Sequence, residues 1–183
     1  MTTTSTQEII AATKDWLEKA VIGLNLCPFA RAVYVNDQIR YVVSDAAAPE
    51  ALLADLLAEL RFLETADPAK TDTTLLIHPD ALTDFLDYND FLEIAEAAVA
   101  DLGLEGVLQV ASFHPDYQFA GTAPDDIENS TNRSPYPMLH LLREESVERA
   151  VAAFPDAAEI FEKNIATLRL LGHAGWKRLW ETS

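Results

Sequence analysis

The sequence predicts an α/β (or α+β) protein in which a mixed sheet of about four strands is covered by helices. Apolar residues recur at helical spacing in several segments, and short β-rich runs lie between those segments. Hydrophobic residues make up 49% of the chain and there are only six glycines, so a real core can form. A length of 183 residues suits one such core, and we expect residues 1–183 to be a single domain.

The first helix is predicted from an apolar stripe near the N-terminus. Gly23 and Asn25 mark its end, so Cys27 is expected just beyond a helix terminus. The stripe consists of Ile9, Ile10, Trp16, Leu17, Ala20, Val21 and Leu24.

Two β-rich runs follow the first helix. Residues 33–35 and 39–43 are rich in Val, Ile and Tyr, and the polar residues 36–38 join them. This pattern predicts a β-hairpin.

The middle of the chain alternates between helical and strand patterns. A leucine stripe over 52–63, opened by Pro49, predicts the second helix. Residues 73–77 and 107–113 are predicted strands, and 81–102 is a predicted helix between them. Strand, helix and strand in this order predict a right-handed parallel crossover.

Regular periodicity disappears between His114 and Tyr136, although this long loop is rich in aromatic residues. After Pro137 the pattern predicts extra C-terminal helices. The first would carry its stripe on Leu139, Leu142, Val147 and Val151, and the second would begin at Pro155-Asp156 and use Ile160, Phe161, Ile165 and Leu168.

Charge and composition exclude several classes of function. A formal net charge of −17 argues against nucleic acid and anionic membranes, which both need a basic footprint. No run approaches the roughly 20 apolar residues of a membrane span, and the polar start does not look like a signal peptide. One cysteine cannot form an internal disulfide. We therefore expect a cytoplasmic protein.

The glycine-rich phosphate loops, the serine-hydrolase elbow and the zinc-protease helix motif are absent.

Cys27 and His114 are the candidate catalytic residues. Cys27 leaves a helix with Arg31 nearby, and a neighbouring cation would favour the reactive thiolate. His114 follows a predicted strand, at the kind of position where open α/β sheets commonly bind ligands. The alternatives are a buried, inert cysteine and a histidine that only caps the strand.

Further candidates would bind the substrate. Arg133 offers a planar fork suited to a carboxylate or phosphate, so a small anionic molecule would fit, but it could instead pair with acidic residues of its own loop. His140 is placed on a helix, directed either to the site or into the core. The set of candidate binding residues is Arg31, Tyr117, Asn132, Arg133, Tyr136 and His140.

Three motifs together resemble a known group of proteins. They run over 25–30 (NLCPFA), 112–121 (SFHPDYQFAG) and 132–140 (NRSPYPMLH). With these motifs the chain resembles an uncharacterised bacterial family of short proteins, a domain of unknown function. The resemblance spans nearly the whole chain and implies a bacterial protein, but it implies no activity.

Three functional hypotheses follow from the sequence. The first is a small-molecule enzyme with Cys27 as nucleophile or redox thiol and His114 in proton transfer. The second is a metal- or haem-binding protein that uses Cys27, His114 and His140, or Asp116, as ligands, although the cofactor is undetermined. The third is a non-catalytic binding or scaffold protein. The C-terminal 176–180 segment, both apolar and basic, is expected to dock on the core or on another subunit.

Overall fold

A four-stranded mixed sheet organises the structure, a computed structural model that describes residues 3–181. The spatial order of the strands is β1-β2-β4-β3. Their bounds are β1, Ile39–Val43; β2, Thr73–Ile77; β3, Leu108–Phe113; and β4, Met138–Arg143. The predicted mixed sheet of about four strands is confirmed.

Helices connect and flank these strands. A π-helical segment, Leu17–Ile22, continues α1, and two 3₁₀ segments, Ile127–Asn132 and Ala157–Glu159, lie in the second half of the chain. The α-helices are α1, Thr6–Trp16; α2, Ala30–Val35; α3, Pro49–Thr65; α4, Phe85–Asp101; α5, Glu144–Ala153; and α6, Ile160–Arg178. No helix in the described part of the chain is both long and apolar enough to cross a membrane.

Parallel and antiparallel pairing both occur. β1 and β2 are parallel neighbours joined through α3. β4 is antiparallel to both β2 and β3, so β2 and β3 run in the same direction without touching. The predicted crossover therefore connects β2 and β3, which run in the same direction. The two strands are not neighbours, however, because β4 lies between them.

Each face of the sheet packs on a different set of helices. Leu76 and Leu139 point to one face, where the apolar sides of α3 and α4 cover them. Leu75 and Met138 point to the other face and pack on α1 and the π-helical segment. Side chains alternate between the faces of a strand, so strands that are covered on both sides carry nearly continuous apolar runs.

The predicted hairpin is wrong, because 30–35 is the helix α2 and β1 has no antiparallel partner there. Asp37 has a φ of 55°, a left-handed conformation that ends α2. Gln38 N–H bonds to Val33 O at 2.9 Å and Asp37 N–H to Tyr34 O at 3.2 Å, the pair of bonds typical of a Schellman helix end. Turn-forming residues serve equally well in a hairpin and at a helix end, which explains the error.

The helix predicted directly after Pro137 is also wrong in its first part, because 138–143 forms the strand β4 and helix begins only at Glu144. His140 therefore lies on a strand rather than on a helix. A short apolar run that is buried on both faces has no period that separates a strand from a helix.

Candidate functional site

Cys27 is positioned by the end of the first helix. Asn25 adopts a left-handed φ of 53°, which asparagine tolerates better than most residues. Leu26 N–H donates to Val21 O at 2.9 Å and Asn25 N–H to Ile22 O at 3.0 Å, so this end too is a Schellman motif. The chain turns back on itself at this point, which confirms the predicted helix end and brings Cys27 against the sheet.

A cavity of about 380 Å³ lies beside Cys27, and we call it the Cys27 cavity. Four separate parts of the chain form its walls: the end of the first helix, the end of β3, the long loop, and the 3₁₀ segment Ala157–Glu159 with the start of α6. Its lining is mostly apolar. The lining residues are Val21, Leu26, Cys27, Phe113, Phe119, Thr131, Asn132, Ala157, Ala158, Ile160, Phe161 and Asn164.

Burial raises the pKa of the Cys27 thiol. The backbone N–H groups of Phe29 and Ala30 act in the opposite direction, but their effect is smaller. Arg31 lies on the exposed surface of α2. The direction is therefore opposite to the one that a nearby Arg31 suggests, because desolvation disfavours the charged thiolate.

Two asparagine side chains in the cavity lining are held by backbone carbonyls. Asn164 Nδ2 donates to Leu26 O at 2.8 Å, and Asn132 Nδ2 donates to Ser112 O at 3.0 Å. A carbonyl oxygen can only accept, so these bonds fix which amide atom is the nitrogen. Among residues 3–181, no group donates a hydrogen bond to either amide oxygen. The oxygens are thus the acceptors that the two side chains still have to offer.

His114 is fully buried, and both of its ring nitrogens are hydrogen-bonded to the backbone. Nδ1 accepts from Asp116 N–H at 3.0 Å, and Nε2 lies 3.0 Å from Leu82 O, to which it must donate. These contacts define a neutral imidazole, and burial lowers its pKa. The ring also packs against Tyr88 and Phe85, at centroid distances of 5.0 and 5.4 Å.

Arg133 braces the long loop from within. Its Nε donates to Tyr117 O at 3.1 Å and its Nη2 to Pro124 O at 2.6 Å. These carbonyl contacts replace the alternative ion pair between Arg133 and an acidic residue of the same loop. One of those acidic residues, Glu128, pairs instead with the basic Arg169 of α6, at 2.8 Å. The guanidinium therefore joins two distant points of the loop.

Buried Asn129 completes the bracing of this loop. Its Oδ1 accepts from Phe119 N–H and from the Thr122 hydroxyl, both at 2.9 Å, and its Nδ2 donates to Ala123 O at 2.8 Å. All of its bonds return to the same segment. The loop is long and irregular, yet the side chains of Asn129 and Arg133 bond to polar groups of the loop itself.

The two tyrosines among the candidates have mainly aromatic and apolar neighbours. Tyr117 lies between Phe85 and Phe119, at centroid distances of 5.2 and 5.0 Å. Tyr136 packs, half-buried, on the core of the α1 face. Neither residue belongs to the lining of the Cys27 cavity.

His140 sits in the middle of the sheet between Leu75 and Ala111 of the adjacent strands. Its Nε2 lies 2.8 Å from Thr73 Oγ1, and this hydroxyl donates in turn to Leu141 O. The imidazole therefore donates to Thr73. Burial lowers the pKa of His140 to about 4, so the ring is neutral at physiological pH.

Of the sequence-predicted residues, the cavity lining brings together Cys27 and Asn132. Within the described residues, the lining does not include His114, Arg133 or His140. No group of three or more His, Cys, Asp or Glu side chains that could hold a metal occurs between residues 3 and 181. The site residues as a set, and metal or haem binding, stay predictions.

A family model described as "Protein of unknown function (DUF1415)" matches residues 8–178. The chain belongs to this family. No curated protein and no solved structure matches the chain. The match runs from α1 to the end of α6, so every wall of the Cys27 cavity lies within the DUF1415 region.

Asn164 is a buried polar residue of the cavity that the sequence of this DUF1415 chain did not suggest. It lies on the apolar stripe of α6, four residues after Ile160 and four before the fully buried Leu168. Only 5% of its surface is exposed. A polar side chain inside an apolar stripe was the available signal, because a buried amide needs partners and so marks a special environment.

Proposed function

We propose that this protein binds a small molecule in the Cys27 cavity. The observation that carries the proposal is that Cys27, Asn132 and Asn164, from three distant segments, line one cavity. Two of these residues present amide oxygens with no donor within residues 3–181. Small-molecule sites are typically mostly apolar clefts with a few placed polar groups.

The size and the rim of the cavity support this proposal. A volume of about 380 Å³ falls in the lower part of the range of roughly 300–1,000 Å³ that is usual for ligand pockets. Phe161 leaves 54% of its surface exposed and packs edge-on against Phe119, with ring centroids 5.7 Å apart. An exposed aromatic side chain at the cavity offers apolar contact area to a ligand.

Binding is better supported than catalysis by a Cys27–His114 pair. The raised pKa of the Cys27 thiol keeps it protonated at neutral pH, and a protonated thiol is a poor nucleophile. His114 would have to give up its bond to Asp116 N–H or to Leu82 O before it could move a proton. The enzyme hypothesis also needs Arg133 to bind an anionic substrate. Arg133 already donates hydrogen bonds to two backbone carbonyls, which such a substrate would have to displace.

The single cysteine allows a direct test with a library of small disulfide-bearing fragments. Each fragment exchanges onto Cys27 in the presence of 2-mercaptoethanol, and intact-protein mass measures the fraction of conjugate. A cavity that binds its fragment retains the fragment at higher reductant concentration. We expect a small subset of fragments to resist about tenfold more reductant than the rest of the library.

The control is a variant with its thiol on the surface, Cys27→Ala/His173→Cys, because His173 is exposed. Its capture profile should be flat across the library. A wild-type profile as flat as that of the control would show that the cavity selects nothing, and the proposed function would be wrong.

A further inference from the structure

We propose that the molecule bound in the Cys27 cavity is uncharged and carries at least one hydrogen-bond donor, such as a hydroxyl or an amide N–H. This inference rests on the proposed function and specifies the class of ligand. It depends on three features of the lining: the orientation of two amides, the burial of one of them, and the charge of the whole lining.

The orientation of the two amides determines what they can recognise. Asn132 and Asn164 each donate through Nδ2 to a backbone carbonyl, at 3.0 and 2.8 Å. Turning either amide by half a rotation would place oxygen against oxygen and lose the bond. Each Nδ2 keeps a second N–H. Among residues 3–181, however, the oxygen is the atom of each amide that has no hydrogen-bond partner at all. A ligand meets two fixed acceptors, and only a donor can satisfy them.

Burial makes the unpaired oxygen of Asn164 important for the free energy of ligand binding. The residue is 95% buried, the complement of its 5% exposure, and its Oδ1 receives no hydrogen bond from residues 3–181. This oxygen is not among the fully enclosed unpaired atoms, so part of its surface is accessible, and Asn164 is a lining residue of the cavity. A ligand that fills the cavity without pairing this oxygen would bury it unsatisfied, at a cost of about 1–3 kcal/mol. A ligand with a donor at this position avoids that cost, in addition to any contact that the apolar walls provide.

The charge of the lining excludes strongly ionic ligands. The twelve lining residues include no Lys, Arg, His, Asp or Glu. An anion or a cation would lose its hydration without gaining an ion pair, and this transfer is expensive in an apolar environment. The Thr131 hydroxyl can rotate to donate or accept, so it does not alter this selection.

Disulfide fragments that differ in a single group can test the ligand class. All carry the same phenyl body and linker, with a hydroxymethyl, a methoxymethyl or a carboxylate substituent at the ortho, meta or para position. The hydroxymethyl group donates, the methoxymethyl group only accepts, and the carboxylate is an anion. For each probe we measure the 2-mercaptoethanol concentration that leaves half of the protein conjugated, divided by the value for Cys27→Ala/His173→Cys.

At the best ring position, we expect the hydroxymethyl probe to resist about fivefold more reductant than the other two, as one net hydrogen bond predicts. This preference should shrink to less than about twofold in Asn164→Leu or Asn132→Leu, which lack the acceptor. If Asn164→Leu fails to fold, Asn132→Leu and the comparison of probes on the wild-type protein still decide the matter.

The outcomes separate this inference from the proposed function. Selective capture in which the carboxylate or methoxymethyl probe equals or exceeds the hydroxymethyl probe overturns the inference and leaves the binding function intact. A hydroxymethyl preference that persists in both folded variants overturns the role of the two amides. Capture of every probe at the level of the surface cysteine overturns the binding function, and the ligand class falls with it.

Discussion

Two regions of the molecule differ in what their polar side chains bond to. One is the long loop that begins at His114, and the other is the lining of the Cys27 cavity. In the loop, His114 and Arg133 bond to backbone groups, and Asn129 bonds to two backbone groups and to the Thr122 hydroxyl. In the cavity, Asn132 and Asn164 each donate one N–H to a backbone carbonyl, and their oxygens have no donor among residues 3–181. A segment rich in polar residues can therefore belong to either kind of region. Only the atoms that remain unpaired distinguish a ligand site from side chains that hold a loop in place, which we call a brace.

This difference has an energetic consequence. Replacing a brace leaves buried backbone groups without partners, so the cost appears in folding stability. Changing a ligand-facing atom leaves the fold intact and alters binding or reactivity. Stability measurements on one region and reactivity measurements on the other should therefore give contrasting results.

The largest expected effect is that of His114→Ala. The change leaves Asp116 N–H and Leu82 C=O unpaired and opens a cavity beside Tyr88, so we expect a loss of about 4 kcal/mol in the free energy of unfolding. Urea denaturation monitored by circular dichroism measures it. His173→Ala, at an exposed position, should change stability by less than about 0.5 kcal/mol. Equal small losses in both variants would mean that His114 is not a brace.

Tyr88→Phe should have the next largest effect. The fully buried Tyr88 hydroxyl donates to Met138 O at 2.7 Å and accepts from Phe113 N–H at 2.9 Å, which links the ends of β3 and β4. Its removal leaves both backbone groups without this partner, and we expect a loss of about 3 kcal/mol. The matched control is Tyr34→Phe, which removes a less buried hydroxyl bonded to Glu18 and should cost less than about 1 kcal/mol. Equal losses would refute the bridging role of Tyr88.

The sequence predicts most of the secondary structure but not all of it. Elements with a clear period or a clear stop are confirmed, such as the leucine stripe of α3 and the helix end at Asn25. The errors at α2 and β4 share a cause, since both are six-residue segments. Such a short segment contains less than two helical turns, so its periodicity carries little information and tertiary contacts decide its conformation.

The candidate site is harder to predict because it depends on distances between segments that the sequence does not contain. The sequence analysis selected Cys27 and Asn132, which share a cavity, but it also selected His114 and Arg133, whose partners are backbone atoms. A side chain's type gives its capacity to bond, whereas its actual partner depends on the folded loop. Every residue has a backbone carbonyl, so no sequence motif reveals which carbonyl will accept the hydrogen bonds of the Arg133 guanidinium.

A third prediction concerns pH and the sheet face that carries His140. The pKa of His140 is lowered to about 4 by burial, whereas an unfolded histidine titrates near 6.5. Below about pH 6.5 the unfolded chain binds the proton and the folded chain does not. This contribution to stability is therefore complete above pH 6.5 and is lost as the pH falls towards 4.

The measurement is the free energy of unfolding at pH 7 and pH 5 for the wild type and for His140→Gln, whose amide can still donate to Thr73. From the shift, we expect the wild type to lose about 2 kcal/mol more than the variant over this interval. The subtraction removes the carboxylates, which both proteins share. Parallel pH profiles would show that His140 already titrates normally in the folded protein.

The smallest expected effect, and the one that best separates the two regions, is the pH dependence of Cys27 alkylation by iodoacetamide. Because burial raises the pKa of this thiol, its rate at pH 7.5 should be about tenfold below that of the exposed cysteine in Cys27→Ala/His173→Cys, and should still be rising above pH 9. A thiolate paired with a protonated His114 would behave differently, since it would react at a constant rate between about pH 5 and pH 7. Such a plateau would require His114 to leave its backbone partners and join Cys27, and it would restore the catalytic pair. A rate that climbs steadily through this range instead leaves Cys27 as a wall of a binding cavity and His114 as a brace of the neighbouring loop.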